Sequence, residues 1–236
     1  MSVAGAEYVR AMMARRSDRL ARTAFQQLAL ILAKPGGTVF DFGAGPGIDA
    51  RFYAERGFTV GAYDVDPAMC DYFAQQCADL IQDGRVALVS GSYGEFLRRG
   101  SVLQVRRAEL ITANFAPLNL VGDLRPLFEK FHELTQPDGR VLASVLSPYF
   151  FGDLRYGWWW RNVLRLWRTG YSSVPGAQAP IVRRRLSDYQ SQCEPHFVLE
   201  RVYRGLPPVS GGGRPGSLTW VRGTTSQFLF LLFRKR

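Results

Sequence analysis

Seven residues, Asp41-Phe42-Gly43-Ala44-Gly45-Pro46-Gly47, carry the strongest chemical signal in the chain. They follow a β-rich run, Thr38-Val39-Phe40, and lead into a helix-like segment. An acidic residue closes the strand, and glycines then occupy alternate positions. Glycine keeps side chains out of the way where a backbone must turn sharply and meet a ligand at a helix N-terminus. The next β-rich run, Phe58 to Tyr63, ends in a second carboxylate, Asp64. A carboxylate at that place accepts hydrogen bonds from both hydroxyls of a ribose. Together the two features describe a pocket for an adenosine-containing cofactor on a doubly wound α/β sheet.

The spacing separates this loop from other nucleotide loops. A dinucleotide site needs Gly-x-Gly-x-x-Gly, and Ile48 stands where its third glycine belongs. No Gly-Lys-Ser/Thr follows, which removes a Walker-type phosphate loop. Asp-x-Gly-x-Gly-x-Gly resembles motif I of class I S-adenosylmethionine-dependent methyltransferases. Asp64-Val65-Asp66-Pro67-Ala68-Met69 is similar to the family's second motif. Ser90-Gly91-Ser92-Tyr93 lies at the third, without the acid usual there. Glu109 to Phe115 resembles the fourth strand, with Asn114 at its active-site end. Gln136-Pro137-Asp138-Gly139-Arg140-Val141-Leu142 resembles the turn into strand five, with Asp138 replacing a glycine. The resemblance covers residues 20–147.

The resemblance implies a Rossmann-like, seven-stranded sheet whose last strand is antiparallel, and S-adenosylmethionine as cofactor. It implies that Gly43, Ala44, Gly45 and Gly47 line the methionyl end and that Asp41 orders their loop. Asp64 would hold the ribose, Val65 and Ser92 would flank the adenine, and Asn114 would close the pocket. No metal ligand is implied. Such a cofactor brings the hard chemistry, and the protein supplies alignment, dryness and sometimes a base. Candidate catalytic groups are Asn114 and Tyr149, the latter just after strand five. His132 falls in a helix on the far side of strand four and reads as structural; the position of His196 is open. Asn114-Phe115-Ala116-Pro117 matches poorly the Asp/Asn-Pro-Pro-Tyr/Phe of enzymes that methylate exocyclic amino groups of nucleobases, since Phe115 and Ala116 replace both prolines.

The elements that must position these residues follow from periodicity. Residues 5–33 read as one or two helices, with Leu20, Ala24, Leu28 and Ile31 at helical spacing. Arg15, Arg16, Arg19 and Arg22 cluster there and read as a solvated face. Strands are expected near 38–42, 58–63, 86–90, 109–113 and 140–146, and helices near 47–56, 67–82, 94–99 and 122–134. This alternation argues for a parallel sheet with right-handed crossovers. Two last strands are expected at 197–203 and 227–233. The whole chain, 1–236, reads as one domain: N-terminal helices to residue 35, a cofactor-binding core over 36–147, an insertion over 148–196, and the last two strands. Loops after parallel strands emerge where the ligand sits, so the insertion should roof the active site. Phe115, Trp159 and Arg161 are the candidate substrate-binding residues. The glycine-rich stretch 207–216 reads as a loop between the last strands.

Charge is unevenly placed. Residues 1–150 hold 16 basic and 16 acidic residues, and residues 151–236 hold 14 and 4, so the whole net +10 lies in the C-terminal third. All five tryptophans lie there too. Cys70, Cys77 and Cys193 show no metal-ligand spacing and read as reduced core residues, which suits a cytoplasmic enzyme. The longest apolar run, Phe228 to Phe233, is too short to span a bilayer. The leading expectation is O-methylation of a small-molecule or lipid-like acceptor, aromatic or anionic in character, largely by proximity. A basic, aromatic third also suits RNA, but the broken motif at 115–116 counts against nucleic acid. A non-catalytic protein that only binds the cofactor is the alternative of another class. Peripheral contact with an anionic membrane fits the same tryptophans and arginines.

Overall fold

Runs of apolar, β-branched and aromatic residues too short for helices form the strands of one central sheet. The structure is a computed structural model that describes residues 6, 7, 9, 10, 14–98, 107–169, 171–174, 180–204 and 227–236. The strands are β1 (Thr38–Phe42), β2 (Thr59–Asp64), β3 (Val86–Ser90), β4 (Ala108–Ala113) and β5 (Thr135–Leu146), then β6 (Tyr171–Val174), β7 (Ile181–Arg184), β8 (Phe197–Arg204) and β9 (Phe228–Lys235). Seven of them form a sheet in the order β3-β2-β1-β4-β5-β9-β8, and β6 and β7 make a separate two-stranded ribbon. β1 to β5 pair in parallel. β9 pairs antiparallel with both β5 and β8, so it runs against every other strand of the sheet. This is the expected Rossmann-like architecture.

Helices cover both faces. They are α1 (Arg16–Leu32), α2 (Ile48–Ala54), α3 (Pro67–Gln76), α4 (Ala78–Gln82), α5 (Tyr93–Arg98), α6 (Arg125–Leu134), α7 (Gly157–Thr169) and α8 (Leu186–Cys193). Alternate side chains of each strand feed opposite cores, as the pleat dictates. Phe40, Ile111, Val141 and Phe233 pack with Phe128 and Phe131 of α6 on one face. Val39, Leu110, Leu142 and Leu232 pack with Phe25 of α1 and Tyr53 of α2 on the other. Strands buried on both faces read as near-continuous apolar runs, and these do.

Four expectations need correction. The helix expected over 67–82 breaks at Cys77, whose φ of −109° and ψ of 17° end α3 and start α4. Cys77 packs there against Gly47, donating from Sγ to the Gly47 carbonyl at 3.8 Å. β5 begins at Thr135 rather than Arg140. Asp138, in the glycine's place, takes a left-handed φ of 60°, which aspartate tolerates better than most residues. The buried stripe of α1 is Ala21, Ala24, Phe25, Leu28 and Ala29, whereas Leu20 and Ile31 face outward. The insertion is also shorter than residues 148–196. Tyr189 and Cys193 of α8 are buried in the central core, so α8 is the crossover helix into β8. α7 packs on β6, and β7 is tied to the turn after β4. The glycine-rich stretch 207–216 lies outside the described residues.

Candidate active site

The carboxyl ends of β1, β2 and β4 bring the chemistry together. Gly43, Gly45 and Gly47 have φ of 71°, 54° and 84°, a region that other L-residues enter only with strain. The turn they build folds back on β2, where the amides of Gly43 and Ala44 donate to the Tyr63 carbonyl. At Gly43 a Cβ would lie 2.6 Å from Cβ of Pro117, so glycine lets the loop after β4 approach. Among the described residues a Cβ at Gly45 would meet nothing within 4 Å, so the loop presents bare backbone there. Asp64, at the end of β2, accepts from the Gly45 amide at 2.6 Å and from the Asp66 amide at 2.9 Å. Each of its oxygens keeps further acceptor capacity. Val65 beyond it is exposed.

Asp41 lies beneath the loop and is fully buried. Thr112 of β4 donates to its Oδ1 at 2.8 Å, while its Oδ2 has no hydrogen-bond partner among the described residues. Burial above all, then the nearby Asp49 carboxylate, pushes the Asp41 carboxyl up to about 7. Burial also raises Asp64, against the pull of its backbone donors.

A second cluster joins α1 and α2 to the end of β4. Asp49, in the first turn of α2, accepts from Arg22 and from Gln26 Nε2 (2.7 Å), both on α1, and from Asn114 Nδ2 at 3.0 Å. Arg22 therefore does not belong to a solvated face. Its guanidinium also lies 4.5 Å from the centre of the Phe115 ring, which meets Phe228 edge-on at 5.4 Å. The sequence holds no direct sign of a role for Asp49 or Gln26, and Arg22 reads there as solvated. The available signal was a polar pair four residues apart, interleaved with the buried apolar stripe of α1.

The turn after β4 is unusual. Phe115 and Ala116 have φ of 59° and 66°, though neither is glycine. Ser144 of β5 holds them, accepting from the Phe115 amide at Oγ (2.7 Å) and from the Ala116 amide at its carbonyl (3.1 Å). The Asn114 amide is engaged at both ends: Nδ2 on Asp49, Oδ1 on Ser144 Oγ and the Phe115 amide.

Among the described residues no hydrogen bond or ring contact joins the remaining candidates to this cluster. Ser92 is turned to Glu95, donating from both its amide and its hydroxyl at 2.8 Å. Tyr149 is partly exposed just beyond β5. Trp159 is buried and Arg161 exposed, and among the described residues no hydrogen bond or ring contact links either to Asn114 or Phe115. The ribbon, in contrast, is anchored to the edge. Arg183 donates to the Ser147 carbonyl and to Asp153, Arg184 to the Leu118, Val121 and Gly122 carbonyls, and Asn119 Nδ2 to the Val182 carbonyl at 2.7 Å. His132 and His196 face each other with ring centres 4.8 Å apart. Lys235 joins the His132 carbonyl to that of Thr135, the first residue of β5, which puts the pair at the opposite edge of the sheet.

A methyltransferase-domain family model matches residues 12–178. The chain belongs to the class I S-adenosylmethionine-dependent methyltransferases. It is an enzyme, and S-adenosylmethionine is its cofactor. Solved methyltransferase structures share its fold. A TehB-like methyltransferase from Corynebacterium glutamicum is 18% identical, with 100% of this chain and 98% of that one covered at a TM-score of 0.59. An S-adenosylmethionine-dependent methyltransferase from Mesorhizobium loti is 16% identical over 90% and 97%, at 0.60. The 1,6-didemethyltoxoflavin-N1-methyltransferase of Burkholderia thailandensis, solved with that substrate and S-adenosylhomocysteine, is 21% identical over 99% and 88%, at 0.58. No curated protein matches the sequence. The pocket of this methyltransferase suits a cation. Asp41 feels the charges of Asp49 and Asp64 as well as that of Arg22, its Oδ2 has no partner among the described residues, and Gly45 leaves room beside the loop.

Proposed function

We propose that this methyltransferase modifies a small or lipid-like acceptor at oxygen, and that alignment rather than a strong base drives the transfer. S-adenosylmethionine supplies a methyl group already activated by its sulfonium. In this reading the amides and bare Cα positions of Gly43, Ala44, Gly45 and Gly47 line the methionyl end. Asp41 offers its free oxygen to the positive charge there, and Asp64 accepts from the ribose hydroxyls. Val65 and Ser92 lie toward the adenine. Asn114 is a positioning residue, because its amide is spent on Asp49, Ser144 and the Phe115 amide.

The observation that carries the acceptor reading is the turn after β4. Proline is confined to φ near −65°, so neither Phe115 at 59° nor Ala116 at 66° can be replaced by the prolines of the nucleobase-amino motif without rebuilding the turn. The inward-turned Asn114 oxygen is likewise withdrawn from a substrate amino group. In this reading the Phe115 ring, with Arg22 stacked on it, lines the acceptor side, an aromatic wall that suits a planar acceptor. In this reading the anchored ribbon roofs the acceptor, and Tyr149, Trp159 and Arg161 are its further contacts. An acidic phenol or carboxylate held there needs little more than proximity and exclusion of water. Peripheral contact of the basic third with anionic membrane belongs to the same reading. Three buried, free cysteines suit a cytoplasmic setting. Incubation with tritiated S-adenosylmethionine, a panel of phenols and carboxylates, and in parallel total RNA tests it. Label in the ester and ether products is expected; label in RNA that is lost with Asp64→Ala would overturn the acceptor class.

A further inference from the structure

Between Asp153 and Asp188 the chain carries seven arginines and no carboxylate. Arg183 and Arg184 are buried and anchor the ribbon. Arg161, Arg165 and Arg168 lie on α7. At about 100° per residue, Trp160, Leu164 and Trp167 share one narrow sector of this helix. All three stand in water, at 58%, 62% and 76% exposure. Trp159, Val163 and Leu166 occupy the adjoining sector and turn inward, with Trp159 and Leu166 buried. The arginines take the sector on the other side. The apolar arc of α7 is thus wider than the protein covers, and its uncovered half is bordered by cations.

We infer that this face docks α7 on an anionic lipid bilayer. The helix lies in the headgroup plane, Trp160, Leu164 and Trp167 enter the boundary with the acyl chains, and Arg161 and Arg168 pair with lipid phosphates. Indole suits this boundary because its ring is apolar and its N–H stays wet. Arginine reaches it by laying its methylene stem along the apolar surface. The partner is anionic because the helix has no acidic residue to balance its arginines. Leu164, between the indoles, favours acyl chains over the stacked bases of single-stranded RNA, which would reward a run of rings. The inference gives a place to the membrane contact in the functional reading. It needs neither cofactor nor acceptor to be measured, so its failure leaves the methyl-transfer reading standing.

Sedimentation of the whole protein with vesicles tests it. The vesicles are phosphatidylcholine alone, or phosphatidylcholine with phosphatidylglycerol. Binding to the anionic vesicles only, weakening with salt, is expected. Trp160→Ala with Trp167→Ala, and separately Arg161→Gln with Arg168→Gln, should each lower the partition coefficient by about tenfold or more. Unchanged thermal melting of both variants shows that they remain folded. The inference is overturned if the wild type stays in the supernatant or if either double variant binds like it. Oligoribonucleotide binding that both variants lose, with vesicle binding intact, overturns it too.

Discussion

Arg22 lies 4.5 Å from the centre of the Phe115 ring and donates to Asp49 with the same guanidinium. One side chain of the N-terminal helix therefore touches both the strained turn after β4 and the first turn after the glycine loop. The ion pair is largely shielded, with side-chain exposures of 11% and 7%. Removing one member of such a pair strands the other charge. Arg22→Met should cost about 3–5 kcal/mol in urea denaturation. Adding Asp49→Asn should recover part of that loss, and strict additivity of the two would show that the pair is not coupled.

Asp64 ties Gly45 and Asp66 together and is the proposed ribose acceptor. Asp64→Ala should weaken calorimetric binding of both S-adenosylmethionine and S-adenosylhomocysteine by about 1.5–3 kcal/mol, the range for a hydrogen bond to a charged group. A folded wild type that binds neither ligand would sink the cofactor site.

Asp41 sets a pH dependence. Its folded carboxyl is raised from 3.8 to about 7, first by burial and then by Asp49. The folded state thus keeps a proton that the unfolded chain releases. The stability from this group is fully present below about pH 4 and is lost as pH rises toward about 7, by about 4 kcal/mol at most. Denaturation midpoints of Asp41→Asn should lack this decline. The same titration should make wild-type affinity for the cationic cofactor rise over this range, while the asparagine variant stays flat.

Two glycines of one loop should respond differently. Gly43→Ala drives a Cβ into Pro117 and should destabilise the fold as well as abolish binding. Gly45→Ala meets only the backbone strain of φ 54°, about 1–2 kcal/mol, yet places a methyl where the cofactor is proposed to lie. Thermal melts paired with calorimetry separate the two; equal melting temperatures would contradict the packing argument.

Tyr149→Phe tests alignment against base catalysis. If proximity suffices, kcat/KM for the acceptor should change by less than about threefold. A fall of about a hundredfold or more would make the phenol a general base.

Much of the sheet was legible because its strands are short apolar runs closed by chemistry-bearing residues. Asp41 and Asp64 mark the ends of β1 and β2, and the glycine spacing marks the turn between them. The ribbon was not legible: Tyr171–Val174 and Ile181–Arg184 carry no strong alternation, and Arg183 and Arg184 look solvent-bound until the carbonyls they cap are seen. Arg22 was misread for a related reason. An arginine four residues from a buried glutamine becomes meaningful only once Asp49, far away in sequence, arrives between them. The left-handed turn at Phe115 and Ala116 has no local signature, since Ser144 on another strand imposes it.

The single strand that runs backwards makes the sheet hard to finish. β9 stands between β5 and β8, and about 80 residues separate it from β5. Until it arrives, β5 shows a row of unpaired amides and carbonyls, and β8 has no neighbour in the sheet. An open edge of that kind is a template for another chain. Folding that waits on so distant a partner is slow, and the half-built sheet is the species most prone to aggregate. Substitutions that weaken the β5–β9 seam should therefore show first as poor recovery of soluble protein, before any effect on the distant cofactor pocket.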